Sequence, residues 1–144
     1  MRGLPEMVQD VRERRGTERL LANLRSLAAA LRDLQADSGD WHTVLDHPET
    51  YLEPSIACFV CAAFLKAMRA GLLDSSFEEC THRSWNACTR AISEAGQILV
   101  SEATPEGDLA SYQALRLGVY PWGQGPGLRA IEEQLRNGSA VECG

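Results

Sequence analysis

The chain has 144 residues, 44% of them hydrophobic and 24% charged, with a formal net charge of −6. That length builds one domain with its own core, and the acidic balance excludes nucleic acid as the main partner, because phosphate binding needs a basic surface. No stretch approaches the ~20 apolar residues of a membrane span, and Met1 to Glu6 lacks the apolar core of a secretory signal, so the expected location is cytoplasmic, or secreted if the true N-terminus lies upstream, with no membrane partner.

Residues 1–16 read as a weak N-terminal helix or a tail. Arg12, Arg14 and Arg15 alternate there with Asp10 and Glu13, the pattern of a solvated helix face. From Thr17, a residue able to cap a helix, Leu20, Leu21, Leu24, Leu27, Ala28, Leu31 and Leu34 recur at spacings of three and four, which predicts one helix with a single apolar stripe. Ser38-Gly39-Asp40 ends it. A second helix is predicted from about Ser55 to Ala70, stopped by Gly71. It is apolar nearly all round, from Ile56 to Leu65, so it is expected to be buried on most sides.

A third helix is predicted to open at Ser75-Ser76, with Glu78 and Glu79 placed for a capping box, and to run through Trp85 and Cys88 to about Ser93. Trp85 reads as core or hairpin packing. Glu94 to Gln124 has little periodicity; Gln97 to Val100 could form a short strand. A last helix is predicted from Pro126, in its first turn, to Leu135, closing at Asn137-Gly138. The helical domain therefore covers residues 17–136, and residues 137–144 read as a frayed C-terminus.

The chain has five cysteines. Cys58 and Cys61 sit three apart on one predicted helix, with Cys80 and Cys88 following, whereas a zinc site wants a second close pair on a loop or knuckle. Small buried thiols in a reduced compartment account for them better, and no metal is expected.

The richest segment is the polar connection from Trp41 to Ser55, which sets aromatics beside histidines and carboxylates between two helices. Long connections between helices are uncommon unless they serve a function. Aromatic faces beside polar groups are what a sugar-binding cleft needs. The run Leu34-Gln35, Gly39 to Asp46, then Tyr51-Leu52-Glu53-Pro54-Ser55 and a small-residue helix ending Arg69 to Leu73 resembles the C-terminal part of glycoside hydrolase families 88 and 105, the unsaturated glucuronyl and unsaturated rhamnogalacturonyl hydrolases. Tyr120 to Pro126 resembles a second signature of these families, and the resemblance extends from about Leu20 to Gln134.

The resemblance implies an all-α fold of the (α/α)6-barrel, six-hairpin glycosidase type. It also implies an oligosaccharide partner ending in a 4,5-unsaturated uronic acid, whose double bond the family hydrates, with no cofactor. A whole barrel needs about twelve helices and more than twice this length. The family's acid/base Asp lies in a segment that nothing here matches, so the chain reads as the C-terminal half of a barrel, inactive in isolation.

Trp41, His42, Tyr51, Glu53, Ser55, Trp122 and Gln124 are the expected substrate-binding residues, with Trp41 as a cleft tryptophan. Structural roles compete at each: Trp41 as a staple of the loop, Glu53 and Ser55 at a helix start, and Trp122 to Gly125 as a helix entry turn. Asp40, Asp46 and Asp108 have no sequence partner that would raise their pKa values, so no catalytic residue is assigned. Uncovered apolar faces predict self-association. The rival reading is an all-α interaction or sugar-binding module without chemistry.

Overall fold

A computed structural model describes residues 17–102 and 107–141. The expected N-terminal helix or tail, with Arg12, Arg14 and Arg15, and the last three residues lie outside that range. In chain order the elements are α1 (Thr17–Asp33), α2 (Pro54–Arg69), a 3-10 turn (Ser75–Phe77), α3 (Glu78–Arg90), β1 (Leu99–Ser101), α4 (Leu109–Gln113), β2 (Leu117–Val119) and α5 (Pro121–Val141). β1 and β2 pair antiparallel, Leu99 opposite Val119 and Ser101 opposite Leu117.

α2 is the central element. One of its faces joins Leu24 and Ala28 of α1, Trp41, Phe77 and Ala87 in a first core through Ala57, Val60, Phe64 and Ala67. The other joins Cys88, Ile98, Val100 and Ala130 in a second core through Cys58, Cys61, Ala62 and Leu65. An all-round apolar sequence is what a helix with two buried faces requires. Phe59 is the exception, at 56% exposure. Two ordinary amphipathic helices flank it: α3 on one side and α5 on the other.

The helix ends follow from local chemistry. Glu53 caps α2 through its side chain, and Pro54 occupies the first turn, where its missing N–H costs nothing. At the other end Gly71 adopts φ +67°, the left-handed conformation that favours glycine, and the Leu72 N–H returns to the Ala67 carbonyl at 2.9 Å. The expected capping box at Ser75-Ser76 does not form. Asp74 caps the 3-10 turn instead, accepting from the Ser76 N–H. α3 ends at Arg90, before Ser93, and Trp85 packs on the second core.

Two expectations on α5 are corrected. The helix begins at Pro121, ahead of Pro126, and runs to Val141, past Asn137-Gly138. Gly123 and Gly127 explain the close approach of its first turns to β1: a Cβ on Gly123 would lie 2.6 Å from both Val100 methyls, and one on Gly127 would strike Ile98. The apolar stripe expected on α1 is also narrower than predicted. Leu24 and Ala28 are buried, but Leu27 and Leu34 remain exposed. Leu128 and Leu135 of α5 are exposed as well.

Candidate functional site

The connection from α1 to α2 is a pinned ribbon rather than a mobile loop. Its rungs are Glu53 N–H to Trp41 carbonyl and Thr43 N–H to Tyr51 carbonyl, each 2.9 Å, with His42 bridging Leu52. Gln35 holds its base. The Gln35 carboxamide donates to the Gly39 carbonyl at 3.0 Å and the Cys80 carbonyl at 3.1 Å, and accepts from Arg83 at 2.6 Å. Arg90 donates to the Ser38 carbonyl at 2.6 Å and to Asp40 at 3.1 Å. Gly39, at φ +90°, passes so close to Arg83 that a Cβ would lie 2.4 Å from its carbonyl oxygen. The turn is therefore clamped between α1 and α3.

This clamping decides the role of Trp41. Its side chain is fully buried in the first core, and the indole Nε1 donates to the Leu31 carbonyl at 2.7 Å. An indole with both faces packed and its donor satisfied cannot stack on a sugar, so the expectation of a cleft tryptophan is corrected: Trp41 staples the ribbon to α1. His42 is turned to the ribbon too. Its Nδ1 stands 2.6 Å from the Thr50 carbonyl, which can only accept, so that nitrogen carries the proton. Tyr51 is half-buried, and its enclosed hydroxyl has no hydrogen-bond partner among the described residues.

Gln124 is likewise committed to structure. Its Oε1 accepts from the Ile98 N–H at 3.1 Å and its Nε2 donates to the Ile98 carbonyl at 2.7 Å. The amide thus continues the edge of the chain ahead of β1 and ties it to α5. Both polar atoms of the amide are thereby engaged with Ile98.

A groove of about 600 Å³ opens where the start of α2, the end of β1, α4 and the start of α5 meet. Glu53, Ser55 and Trp122 line it together, among the residues singled out from the sequence. His42, Tyr51 and Gln124 are not among its lining groups. Thr43, Ile56, Phe59, Ser101, Glu102, Tyr112 and Leu115 complete it. Phe59 was legible in principle: it lies one turn beyond Ser55 on the same helical face. Tyr112 and Glu102 come from the aperiodic stretch, where no pattern announced them.

Glu53 is 4% exposed and fully engaged. Its Oε1 accepts from the Ser55 N–H at 3.2 Å and the Ser55 hydroxyl at 2.7 Å. Its Oε2 accepts from the Ser101 N–H at 3.2 Å. One carboxylate thereby caps α2 and fastens β1 to it, which forms the floor of the groove. Trp122 forms a wall. It stacks on Tyr120 at 4.8 Å with an interplanar angle of 1°, donates its Nε1 to the Ser101 carbonyl at 2.9 Å, and stays 48% exposed. The described lining residues include aromatic and aliphatic surface, hydroxyls and carboxylates, but no Lys, Arg or His. Such a surface suits polyhydroxylated rings with apolar faces. Among the described residues no cluster of His, Cys, Asp or Glu could hold a metal ion.

Residues 1–137 match the sequence model of Glycosyl Hydrolase Family 88. The unsaturated rhamnogalacturonyl hydrolase YesR of Bacillus subtilis is 32% identical over 117 residues, which is 79% of this chain and 32% of that protein. A possible GH105 family member from Klebsiella pneumoniae superposes with a TM-score of 0.87 at 31% identity, over 93% of this chain and 36% of that one. A second, from Salmonella enterica, gives 0.86 at 32% identity, over 93% and 37%. The chain thus spans about a third of the relatives it matches.

Proposed function

The chain belongs to glycosyl hydrolase family 88, its helices form part of an (α/α)6-barrel-type fold, and from this membership we propose that the groove over the start of α2 is one wall of a saccharide-binding cleft. The observation that carries the proposal is Trp122. It keeps about half of a large aromatic surface exposed beside Ser55 and the Glu53 floor, although a side chain of that size normally buries its surface.

The substrate class is an oligosaccharide ending in a 4,5-unsaturated uronic acid. The support is the similarity to a Bacillus subtilis protein named as an unsaturated rhamnogalacturonyl hydrolase. With no cation among the described lining residues, this wall meets ring hydroxyls and apolar ring faces, and the uronate carboxylate is met elsewhere. The acid that protonates the double bond also lies outside the described groove. The 144-residue chain alone therefore binds saccharide without turnover. It self-associates through the exposed Leu27, Leu34, Leu128 and Leu135; a sedimentation mass at the monomer value at all concentrations would contradict this. Its placement is cytoplasmic, in keeping with four described cysteines that are free thiols. No helix of the described residues is long and apolar enough to cross a membrane.

Tryptophan fluorescence tests the site. An unsaturated galacturonyl-rhamnose disaccharide should shift the emission of the wild type and of Trp41→Phe, and leave Trp122→Ala unchanged. A shift that survives Trp122→Ala, or none in the wild type, would refute the assignment.

A further inference from the structure

Cys58 of α2 and Cys88 of α3 face each other across the second core, both completely buried, with their sulfur atoms 2.9 Å apart. Neither lines the groove. Two sulfur atoms this close need approach by only about 0.9 Å to reach a disulfide bond of ~2.05 Å. We propose that Cys58 and Cys88 are a redox pair that closes to a disulfide on exposure to a peroxide and locks α2 to α3.

The step balances with hydrogen peroxide as oxidant. The Cys88 thiolate attacks one peroxide oxygen, forming a sulfenic acid; the departing hydroxide takes up a proton and leaves as water. Cys58 then attacks the sulfenic sulfur, the S–O bond breaks, and a second water leaves with the proton from Cys58. Two electrons pass from the two thiols to the peroxide. Cys88 is the better first nucleophile, because the hydrogen bond from Cys58 holds its pKa below the usual thiol value, while that bond and burial push Cys58 upward. Burial makes the reaction slow, paced by opening of the α2–α3 contact.

The geometry selects among the other thiols. Cys61 is also buried in this core, but it follows Cys58 on the same helix, and it is Cys58 that touches Cys88. Cys80 lies in the first core. The crosslink would join residues 30 apart, a loop long enough for a substantial entropic effect on the unfolded chain. α2 also carries Glu53 and Ser55 at its start, so the lock stiffens the helix that bears the groove floor.

The test is peptide mapping of the folded protein after millimolar hydrogen peroxide and alkylation of remaining thiols with N-ethylmaleimide. Trypsin leaves Cys58 and Cys61 in the peptide Asp33 to Lys66, and Cys88 alone in Ser84 to Arg90. The expected product is these two peptides joined with loss of two hydrogens and carrying one N-ethylmaleimide on Cys61, formed equally, without the maleimide, in Cys61→Ser, with a rise in Tm of roughly 10 °C that dithiothreitol reverses. The map is read on wild-type protein, so it stands even if Cys61→Ser fails to fold. Alkylated or sulfinic Cys58 and Cys88, a link through Cys61 or Cys143, or joined peptides without a rise in Tm would each overturn the proposal.

Discussion

Glu53→Ala separates a structural carboxylate from a ligand-binding one. In the folded chain the carboxylate accepts three hydrogen bonds, two from Ser55 and one from the Ser101 N–H. Losing an N-cap costs about 1 kcal/mol. Leaving a partly buried backbone donor such as the Ser101 N–H unmatched costs about 1–3 kcal/mol more. The expected loss is therefore about 2–4 kcal/mol. Glu53→Gln keeps one acceptor oxygen and the shape, and can serve either Ser55 or Ser101 but not both, so about half that loss is expected. Urea unfolding followed by circular dichroism at 222 nm reads both. With a slope of about 1.5 kcal/mol per molar, a loss of ~3 kcal/mol moves the midpoint by ~2 M. A Glu53→Ala midpoint within experimental error of wild type would refute the reading, since an unused carboxylate is then all that was removed.

Gly123→Ala is expected to cost about 1–2 kcal/mol in the same assay. The new methyl meets both branches of the stiff, fully buried Val100, and that overpacking exceeds the gain of ~1 kcal/mol from replacing glycine in a helix. Gly127→Ala should cost less, because it meets only the flexible end of Ile98; the reverse order would contradict the packing of α5 on β1. Arg69→Met removes the nearer of two arginines that pair with Glu133, whose side chain is only 3% exposed, and leaves Arg129 at 3.9 Å; it should cost about 2–4 kcal/mol. Adding Glu133→Gln to that variant should recover most of the loss, and no recovery would show that the charge is not the cause. On the surface, the hydrogen bond to Glu49 raises the His47 pKa above 6.5, so its contribution to stability is complete below pH 6.5 and is lost as pH rises through the higher folded value. An NMR titration should show the His47 midpoint falling in Glu49→Gln; an unchanged midpoint would contradict the pairing.

The helices were legible because burial imposes a period on α1 and an unbroken apolar run on α2, and because Gly71 takes a left-handed conformation after α2. The start of α5 was hidden for a physical reason. Gly123, Gly125 and Gly127 look like a loop in sequence, yet two of them are small so that the helix can lie against Val100 and Ile98. β2 is three residues long, too short to show alternation. At the site, the sequence pointed to the right ribbon but misread which side chains it presents. An aromatic beside a histidine suggests a sugar platform, and nothing in the order of residues tells that Trp41 points into the core while Trp122 stays open. That distinction depends on the clamp formed by Gln35, Arg83 and Arg90, which are distant in sequence. The structural role of Gln124 was hidden for a similar reason, since its partner Ile98 lies just ahead of β1 and is its neighbour only in three dimensions.

The most direct test of the saccharide-binding wall is an amide and indole NMR titration of the chain with an unsaturated galacturonyl-rhamnose disaccharide. The predicted result is saturable shifts at Ser55, Ser101, Glu102, Tyr112 and the Trp122 indole N–H, with the Trp41 indole N–H unmoved. Shifts centred on Trp41 and His42, or none at the groove up to millimolar sugar, would contradict it.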